Sequence, residues 1–325
     1  MTLALIDVGS NTIRLSIYAI GAEAREIRQA VPGEQPDDLG SFVRLFSKKS
    51  MAGLAGYVDD DNMLVQDGID RACESLTYFK SIVDNLRIDE THVFATASLR
   101  NVDNSAEALS EICRRTGFDI ELISSEEEAL LGYSSFKHDC PIDHGVLMDI
   151  GGGSSEVVCF ASNVPNFVTS IPLGSLKLFK KDVAGLLPTK KERRRICAQV
   201  EDECKRLGID KLGKQEVLCG IGGTARAAAK LMRRLLGKDP LESRFSFSEL
   251  EQLVEVLAKD DARALELIIR TCPDRIHTVI PGLLVLYTVA SSLQAEKMVV
   301  SKYGVREGYV CERIVKDERT DGEAA

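Results

Sequence analysis

Tryptophan is absent from this chain of 325 residues, aromatic residues make up 6% of it, and histidine occurs four times. His92, His138, His144 and His277 lack the spacing that is typical of metal ligands, so the sequence offers no histidine metal centre. The nine cysteines are an odd number, are scattered, and form no Cys-x-x-Cys pair. We therefore expect reduced cysteines in the core and neither a disulfide framework nor a zinc site.

Long apolar runs are missing as well. No stretch approaches the roughly 18 uninterrupted apolar residues that a membrane-spanning helix needs, and the opening MTLALIDVGSN has neither a basic segment nor a cleavage site of a signal peptide. We expect a cytoplasmic protein with no membrane partner. The net charge of −9, from 41 basic and 50 acidic residues, argues against nucleic acid as a sequence-independent partner.

Basic residues are nevertheless clustered in this acidic chain. Lysine pairs stand at 48–49 and 180–181, and KKERRR occupies 190–195. A solvated helix face is the ordinary explanation of each cluster. A local binding surface for a polyanion is the alternative, because electrostatic focusing depends on patches and not on net charge.

One strand-turn-strand pattern occurs twice. The segment 3–20 reads LALIDVGSNTIRLSIYAI, and the segment 146–160, VLMDIGGGSSEVVCF, repeats the apolar run, the aspartate, the glycine turn and the second apolar run. This duplication indicates two related halves. The hydrophobic fraction of 44% is enough for two ordinary cores.

Strands and helices alternate through the rest of the chain, which predicts an α/β architecture with a sheet in each half. The predicted helices lie at about 60–86, 105–116, 189–207, 224–236, 247–258, 261–270, 281–294 and 305–318. The predicted strands outside the two repeats lie at 91–97, 118–123, 167–171, 216–223 and 297–304.

The glycine turns have a chemical logic. Glycine lets the backbone approach a ligand closely, so that several N–H groups can converge on one anion. The aspartates that precede the turns, Asp7 and Asp149, supply oxygens for a hard cation. A single turn of this kind is common, but two at equivalent places suggest a phosphate held from both sides of a cleft. A third turn, GIGGTARAAAKL at 220–231, opens a helix and is either an anion site or an ordinary helix start with Thr224 as its cap.

These turns resemble the phosphate loops of the actin, Hsp70 and sugar-kinase superfamily, in which two RNase H-like (actin-like ATPase) domains surround an interdomain cleft. The sequences of these and other motifs are similar to those of the exopolyphosphatase and guanosine pentaphosphate phosphohydrolase (Ppx/GppA) phosphatase family, in its short two-domain form. The similar stretches are IDVGSNTIRL at 6–15, ATASLRNVDN at 95–104, ISSEEEA at 123–129, MDIGGGSSEVV at 148–158, PLGSLKL at 172–178, GIGGTARAAA at 220–229 and VSKYGVREGYV at 300–310. The resemblance implies an N-terminal domain over 1–123, completed by the helix 305–318, and a C-terminal domain over 124–304.

The resemblance also implies site residues. Glu128 would be the catalytic base, and Arg100 would hold the reacting phosphate. The implied phosphate-binding residues are Gly9, Ser10, Asn11, Thr12, Gly151, Gly152, Gly153, Ser154, Lys177, Gly222, Gly223 and Thr224. The implied ligands of Mg²⁺, or of another divalent cation, are Asp149, Asp7 and Glu156.

The stretch SSEEEA permits a plain structural interpretation as well. Ser124 with Glu127, or Ser125 with Glu128, fits the Ser-x-x-Glu capping box of a helix start, and from the residues alone capping is a sufficient explanation. With the resemblance, we assign the cap to Ser124 and Glu127. Glu128 then lies about 100° further around the helix. Ser125 and Leu130 depart from the pattern of the family.

The expected reaction is Mg-dependent removal of the terminal phosphate from inorganic polyphosphate by glutamate-activated water. Hydrolysis of guanosine pentaphosphate is the alternative, and a non-catalytic sensor of nucleotides or polyphosphate is an alternative of another class. An ATP-dependent kinase is disfavoured because no separate phosphoacceptor base is visible. A serine or cysteine nucleophile is unsupported, since no histidine-rich setting accompanies Ser154 or Cys159. Homodimer formation is left open.

Overall fold

The computed structural model describes residues 1–30 and 41–315. Its contacts divide the chain into two compact units. Unit 1 comprises Met1–Asp139 together with the chain from Arg306 onward, and unit 2 comprises Cys140–Val305. The division falls later than the predicted boundary after residue 123, because the helix that follows this boundary packs on the C-terminal segment of unit 1.

Unit 1 contains a five-stranded sheet with the order β3-β2-β1-β4-β5. Its strands are β1 (Thr2–Val8), β2 (Ile13–Ile20), β3 (Phe42–Ser50), β4 (Glu90–Ala95) and β5 (Glu121–Leu122). Strands β1, β2 and β3 are antiparallel neighbours, whereas β4 and β5 run parallel to β1. Its helices are α1 (Ala22–Ala30), α2 (Gln66–Leu86), α3 (Ala97–Arg100), α4 (Ser105–Thr116) and α5 (Ser125–Asp139).

The core of unit 1 lies between the sheet and the helices α2 and α4. Helix α2 buries apolar residues at intervals of three and four, the spacing of one helix face; these are Ile69, Cys73, Leu76, Phe79 and Val83. Helix α4 ends at Thr116, as predicted, and the next residue, Gly117, has a φ of 71°, a conformation that favours glycine.

Unit 2 contains a six-stranded sheet with the order β10-β11-β9-β6-β7-β8. Its strands are β6 (Gly145–Ile150), β7 (Ser155–Ala161), β8 (Val164–Ile171), β9 (Val217–Ile221), β10 (Arg244–Ser246) and β11 (Lys297–Val300). Its helices are α6 (Ser175–Asp182), α7 (Lys190–Leu207), α8 (Gly222–Leu236), α9 (Phe247–Lys259), α10 (Asp261–Thr271) and α11 (Val279–Ser292). Helix α11 is apolar on all sides and lies in the core, where it packs on α7.

The chain returns to unit 1 at its C-terminal end. Helix α12 (Val305–Tyr309) continues into a π-helical turn (Val310–Val315). The last three residues of the helix predicted over 305–318 lie outside the described residues. Within the described residues, no helix has the length and apolar character needed to cross a membrane.

The two sheets share one topology. In each, three antiparallel strands are followed by two parallel ones, in the order β3-β2-β1-β4-β5 and β8-β7-β6-β9-β11. Strand β10 adds an antiparallel edge to the second sheet. This correspondence confirms the α/β class and the duplication that the repeated pattern predicted.

Candidate active site

The two glycine loops have the same hydrogen bond at the same place. The N–H of Gly9 donates to the carbonyl of Thr12 over 3.1 Å, and the N–H of Gly151 donates to the carbonyl of Ser154 over 3.0 Å. Each bond joins the two ends of the loop that connects a pair of antiparallel strands.

Both turns leave backbone N–H groups for a ligand. Among the described residues, no acceptor meets the N–H groups of Ser10 and Asn11 in the first turn or of Gly152 and Gly153 in the second. Consecutive N–H groups of this kind form a concave site for an anion.

Helix α6 fixes the orientation of the second turn. The N–H of Ser175 donates to the carbonyl of Gly151, and the N–H groups of Leu176 and Lys177 donate to the carbonyl of Gly152. In a trans peptide the N–H points away from the C=O, so the N–H groups of Gly152 and Gly153 point away from α6.

This approach requires a glycine at the start of α6. A Cβ atom on Gly174 would lie 2.4 Å from the carbonyl carbon of Gly152 and from the nitrogen of Gly153. The backbones therefore approach each other at a distance that only glycine permits.

The third turn is built differently from the two loops. Helix α8 begins at Gly222, whose φ is 73°, so Thr224 is not its cap and that part of the structural interpretation is wrong. The Thr224 hydroxyl is buried and donates to the carbonyl of Ile150 over 2.8 Å, which ties α8 to the end of β6.

An arginine that the sequence analysis did not select lies beside this turn. A Cβ atom on Gly223 would lie 1.9 Å from Nη2 of Arg275, and one on Gly222 would lie 2.0 Å from Oδ1 of Asp149. Burial lowers the pKa of Arg275, and the charges of Asp274, Cys272 and Asp149 oppose this effect. Arg275 lies far from the glycine turn in the sequence and belongs to no motif with it, so its place beside the turn could not be predicted from the sequence.

Asp149 and Glu156 form a carboxylate pair in unit 2. They stand directly opposite each other on the antiparallel strands β6 and β7, so their side chains share a face. Glu156 is buried, and its Oε1 accepts hydrogen bonds from Ser154 at 2.7 Å and from Ser170 at 3.0 Å. Opposed like charges destabilise a sheet unless a cation lies near them.

This pair fits a magnesium ion. Mg²⁺ is commonly held by one or two carboxylates together with substrate phosphates. Within residues 1–30 and 41–315, no group of three or more histidine, cysteine, aspartate or glutamate side chains is placed to hold a metal ion. Two carboxylates would leave the other coordination positions of such an ion to phosphate oxygens or water.

Asp7, the third predicted metal ligand, has basic neighbours. Its Oδ2 accepts a hydrogen bond from Nη1 of Arg306 over 3.2 Å, and Arg14 stands opposite it on β2. Burial raises the pKa of Asp7, whereas the charges of Arg306 and Arg14 oppose that rise. The position that holds Glu156 in unit 2 thus holds Arg14 in unit 1.

Glu128 and Arg100 are brought together in unit 1. Nη1 of Arg100, at the end of α3, lies 2.9 Å from Oε2 of Glu128 and also donates to the carbonyl of Ile123 over 2.9 Å. Each of the two side chains is 13% exposed. A carboxylate that can position a water molecule therefore lies beside a guanidinium that can hold a phosphate.

The adjacent Glu127 closes the helix start. Its backbone N–H donates to Oγ of Ser124 over 3.1 Å, and its Oε2 accepts from the N–H of Ser124 over 2.8 Å. These bonds, the backbone one first, lower the pKa of Glu127, with a contribution from Arg313. The assignment of the cap to Ser124 and Glu127 is confirmed, and Glu128 is left to meet Arg100.

Comparison with known proteins identifies the family. The sequence profile described as the Ppx/GppA phosphatase family matches residues 35–317, which is most of the chain. The chain belongs to this family. Exopolyphosphatase 1 of Mycobacterium bovis (strain ATCC BAA-935 / AF2122/97) is 25% identical over 338 residues, covering 100% of this chain and 91% of the relative, and the protein of that name from Mycobacterium tuberculosis (strain ATCC 25618 / H37Rv) matches equally well.

Solved structures show the same fold. An exopolyphosphatase from Cytophaga hutchinsonii superposes with a TM-score of 0.78 at 21% identity, covering 99% of this chain and 98% of that one. The Ppx/GppA family member of Aquifex aeolicus gives a TM-score of 0.74 at 21% identity, with 98% of both chains covered. These findings confirm the predicted family, its α/β fold and the class of enzyme, a hydrolase of phosphoric anhydrides.

Proposed function

We propose that this Ppx/GppA family member is an exopolyphosphatase that removes the terminal phosphate of inorganic polyphosphate with water activated by Glu128. The contact between Glu128 and Arg100 is the observation that carries the proposal. The curated relatives named exopolyphosphatase, which align over the whole chain, support the choice of substrate.

In the proposed reaction, the Glu128 carboxylate orients a water molecule in line with the terminal phosphorus and accepts its proton. The water oxygen forms the new P–O bond, and the bond from that phosphorus to the bridging oxygen breaks. Inorganic phosphate and a chain shorter by one phosphate leave the enzyme. Arg100 stabilises the charge on the equatorial oxygens of the transferred group.

Unit 2 has phosphate-binding groups of its own in this proposal. The N–H groups of Gly152 and Gly153, the Lys177 ammonium and the Arg275 guanidinium are its donors. Asp149 and Glu156 would hold Mg²⁺, which when bound neutralises phosphate charge. We leave Asp7 out of the metal site, because its carboxylate is paired with Arg306.

Phosphate release measured side by side tests the choice of substrate. The wild-type chain is supplied with long-chain polyphosphate, guanosine pentaphosphate or ATP, each with Mg²⁺ and with EDTA. We expect the highest kcat/KM on polyphosphate and loss of turnover with EDTA. A higher kcat/KM on guanosine pentaphosphate would assign the alternative substrate. Nucleotide binding without release from any of the three would indicate a sensor.

A further inference from the structure

The C-terminal end of the chain contacts helix α5 along one face. We call residues 306–313 the C-terminal strap. Nη2 of Arg313 lies 3.0 Å from Oε1 of Glu127, and Oγ of Ser134 donates to Oε1 of Glu312 over 2.5 Å. Between these contacts, Gly308 lies against the backbone of Leu131. The α5 positions 127, 131 and 134 are spaced by four and three residues, which is one side of a helix.

The contact at Gly308 is close enough to exclude any side chain. A Cβ atom there would lie 1.9 Å from the carbonyl oxygen of Leu131 and 3.1 Å from its Cα atom. Because the obstructing atoms belong to the backbone, a side chain could be accommodated only by moving one of the two helices. Leu131 is three residues from Glu128, so a displacement of α5 here moves the catalytic carboxylate.

The same strap contacts the strand that carries the first glycine loop. Arg306 is ion-paired with Asp7 at the end of β1. Glu307 is buried, and its Oε1 accepts from the Tyr18 hydroxyl at 3.1 Å and from Nη1 of Arg44 at 3.2 Å. The start of the strap is thereby fixed to the sheet of unit 1.

The middle of the strap packs on the strand that leads toward Arg100. The ring of Tyr309 stacks on Phe94 of β4, with centroids 5.2 Å apart and planes 13° apart, and its hydroxyl donates to Glu121 over 2.9 Å. Arg313 also pairs with Glu121. Strand β4 ends at Ala95, just before α3, on which Arg100 lies.

We propose that the C-terminal strap sets the position of Glu128 relative to Arg100, with Gly308 and Glu312 as positioning residues that act through α5. Residues within this one segment contact β1, which precedes the first glycine loop, β4, which precedes Arg100, and α5, which carries Glu128. This inference rests on the proposed function for its kinetic consequence. The mechanical part, that the strap holds α5, is independent of the substrate.

Gly308→Ala tests the proposal, with Gly117→Ala as the matched control. Gly117 lies in the same unit at a φ of 71°, with no atom within 4 Å of an added Cβ, so its substitution strains unit 1 without touching α5. We expect Gly308→Ala to lower kcat by about 10- to 100-fold with KM nearly unchanged, because a displacement of about 1 Å can cost that much. Gly117→Ala should lower thermal stability and leave kcat near that of the wild type.

Hydrogen exchange gives a readout that does not depend on activity. The amides of α5 should exchange faster in Gly308→Ala than in Gly117→Ala. If Gly308→Ala does not fold, Ser134→Ala, which removes the hydrogen bond to Glu312, should still lower kcat several-fold and loosen α5. Equal kcat values in the folded Gly308 and Gly117 variants, or unchanged exchange in α5, would overturn the inference. An inactive wild type would instead refute the proposed function, and exchange would still decide whether the strap holds α5.

Discussion

The neighbouring residues Glu127 and Glu128 have different roles, one in capping helix α5 and the other in the proposed reaction. Glu127 is bonded to both the backbone and the side chain of Ser124, and Arg313 contacts its other oxygen. Glu128 lies one residue further and contacts Arg100 instead. Since consecutive helix residues point about 100° apart, a single helix start can hold a structural and a reactive carboxylate side by side.

Lys177 is expected to give the enzyme an alkaline limit. Burial lowers the pKa of its ammonium, with a further contribution from the charge of Lys181 that Glu203 opposes. The positive charge that binds phosphate is present below this lowered pKa and is lost as the pH rises through it. As the pH is raised, kcat/KM for polyphosphate should therefore begin to fall before the pH reaches about 10.4, the ordinary pKa of lysine.

Lys177→Arg is the matched variant, because a guanidinium stays protonated to a pH above about 12. Its kcat/KM should remain level over the alkaline range in which that of the wild type falls. Parallel pH profiles for the two proteins would show that Lys177 is not the group responsible.

At the scale of elements, the start of helix α6 determines the direction of the second glycine loop. Its first N–H groups bind the carbonyls of Gly151 and Gly152 instead of a ligand. The helix thus acts on the anion site indirectly, by turning the N–H groups of the loop away from itself. The motif PLGSLKL thus contains both Gly174, which allows α6 to approach the loop closely, and Lys177, the proposed phosphate ligand.

Gly174→Ala should disrupt this arrangement. The added methyl group would meet the backbone of Gly152 and Gly153 at 2.4 Å, so the loop has to move away from α6. We expect a loss of about 1 to 3 kcal/mol in the free energy of unfolding and a higher KM for polyphosphate.

Gly185→Ala is the control, since its added Cβ would meet its nearest neighbour, the carbonyl of Leu187, at an ordinary 3.7 Å. Thermal unfolding and steady-state kinetics measure both effects. A wild-type KM in Gly174→Ala would contradict the proposed role of the loop.

Some elements could be predicted from the sequence and others could not. Helix α7 follows a complete capping box of Thr189 and Glu192, and its predicted start differs from the observed one by a single residue. Strand β3 was not predicted. It is an edge strand with most of its residues exposed and an irregular register opposite Ile17 and Tyr18, so its sequence lacks a regular apolar alternation.

At the scale of the whole molecule, two units of one topology have diverged in charge. The aspartate before the first turn faces Arg14, whereas the aspartate before the second faces Glu156. The duplication itself was visible in the sequence because both turns keep an aspartate and a glycine. The charge interaction of Arg275 with Asp149 and the ion pair of Arg306 with Asp7 were not visible, because more than a hundred residues separate the members of each pair and only folding brings them together.

This difference in charge between the two units predicts that Mg²⁺ binding depends on the carboxylates of unit 2 and not on Asp7. Glu156→Gln should raise the Mg²⁺ concentration for half-maximal activity by about 10- to 100-fold, because it removes one of two adjacent negative charges. Asp7→Asn should leave that concentration unchanged, since Asp7 is neutralised by Arg306. Mg²⁺ titrations of phosphate release compare the two variants. An equal shift in both would place Asp7 at the metal after all.

In the proposed reaction Glu128, and not its neighbour Glu127, activates the water molecule. The direct measurement is the rate of phosphate release from polyphosphate by Glu128→Gln and Glu127→Gln, each with its folding checked by circular dichroism. We predict a loss of about 10²- to 10⁴-fold in kcat for Glu128→Gln, as is typical when a general base is removed. For Glu127→Gln we predict a lower melting temperature and at most a several-fold loss in kcat, because this change weakens the helix cap and the contact with Arg313 but leaves the carboxylate of Glu128 in place. Near-normal turnover by folded Glu128→Gln would show that Glu128 is not the base.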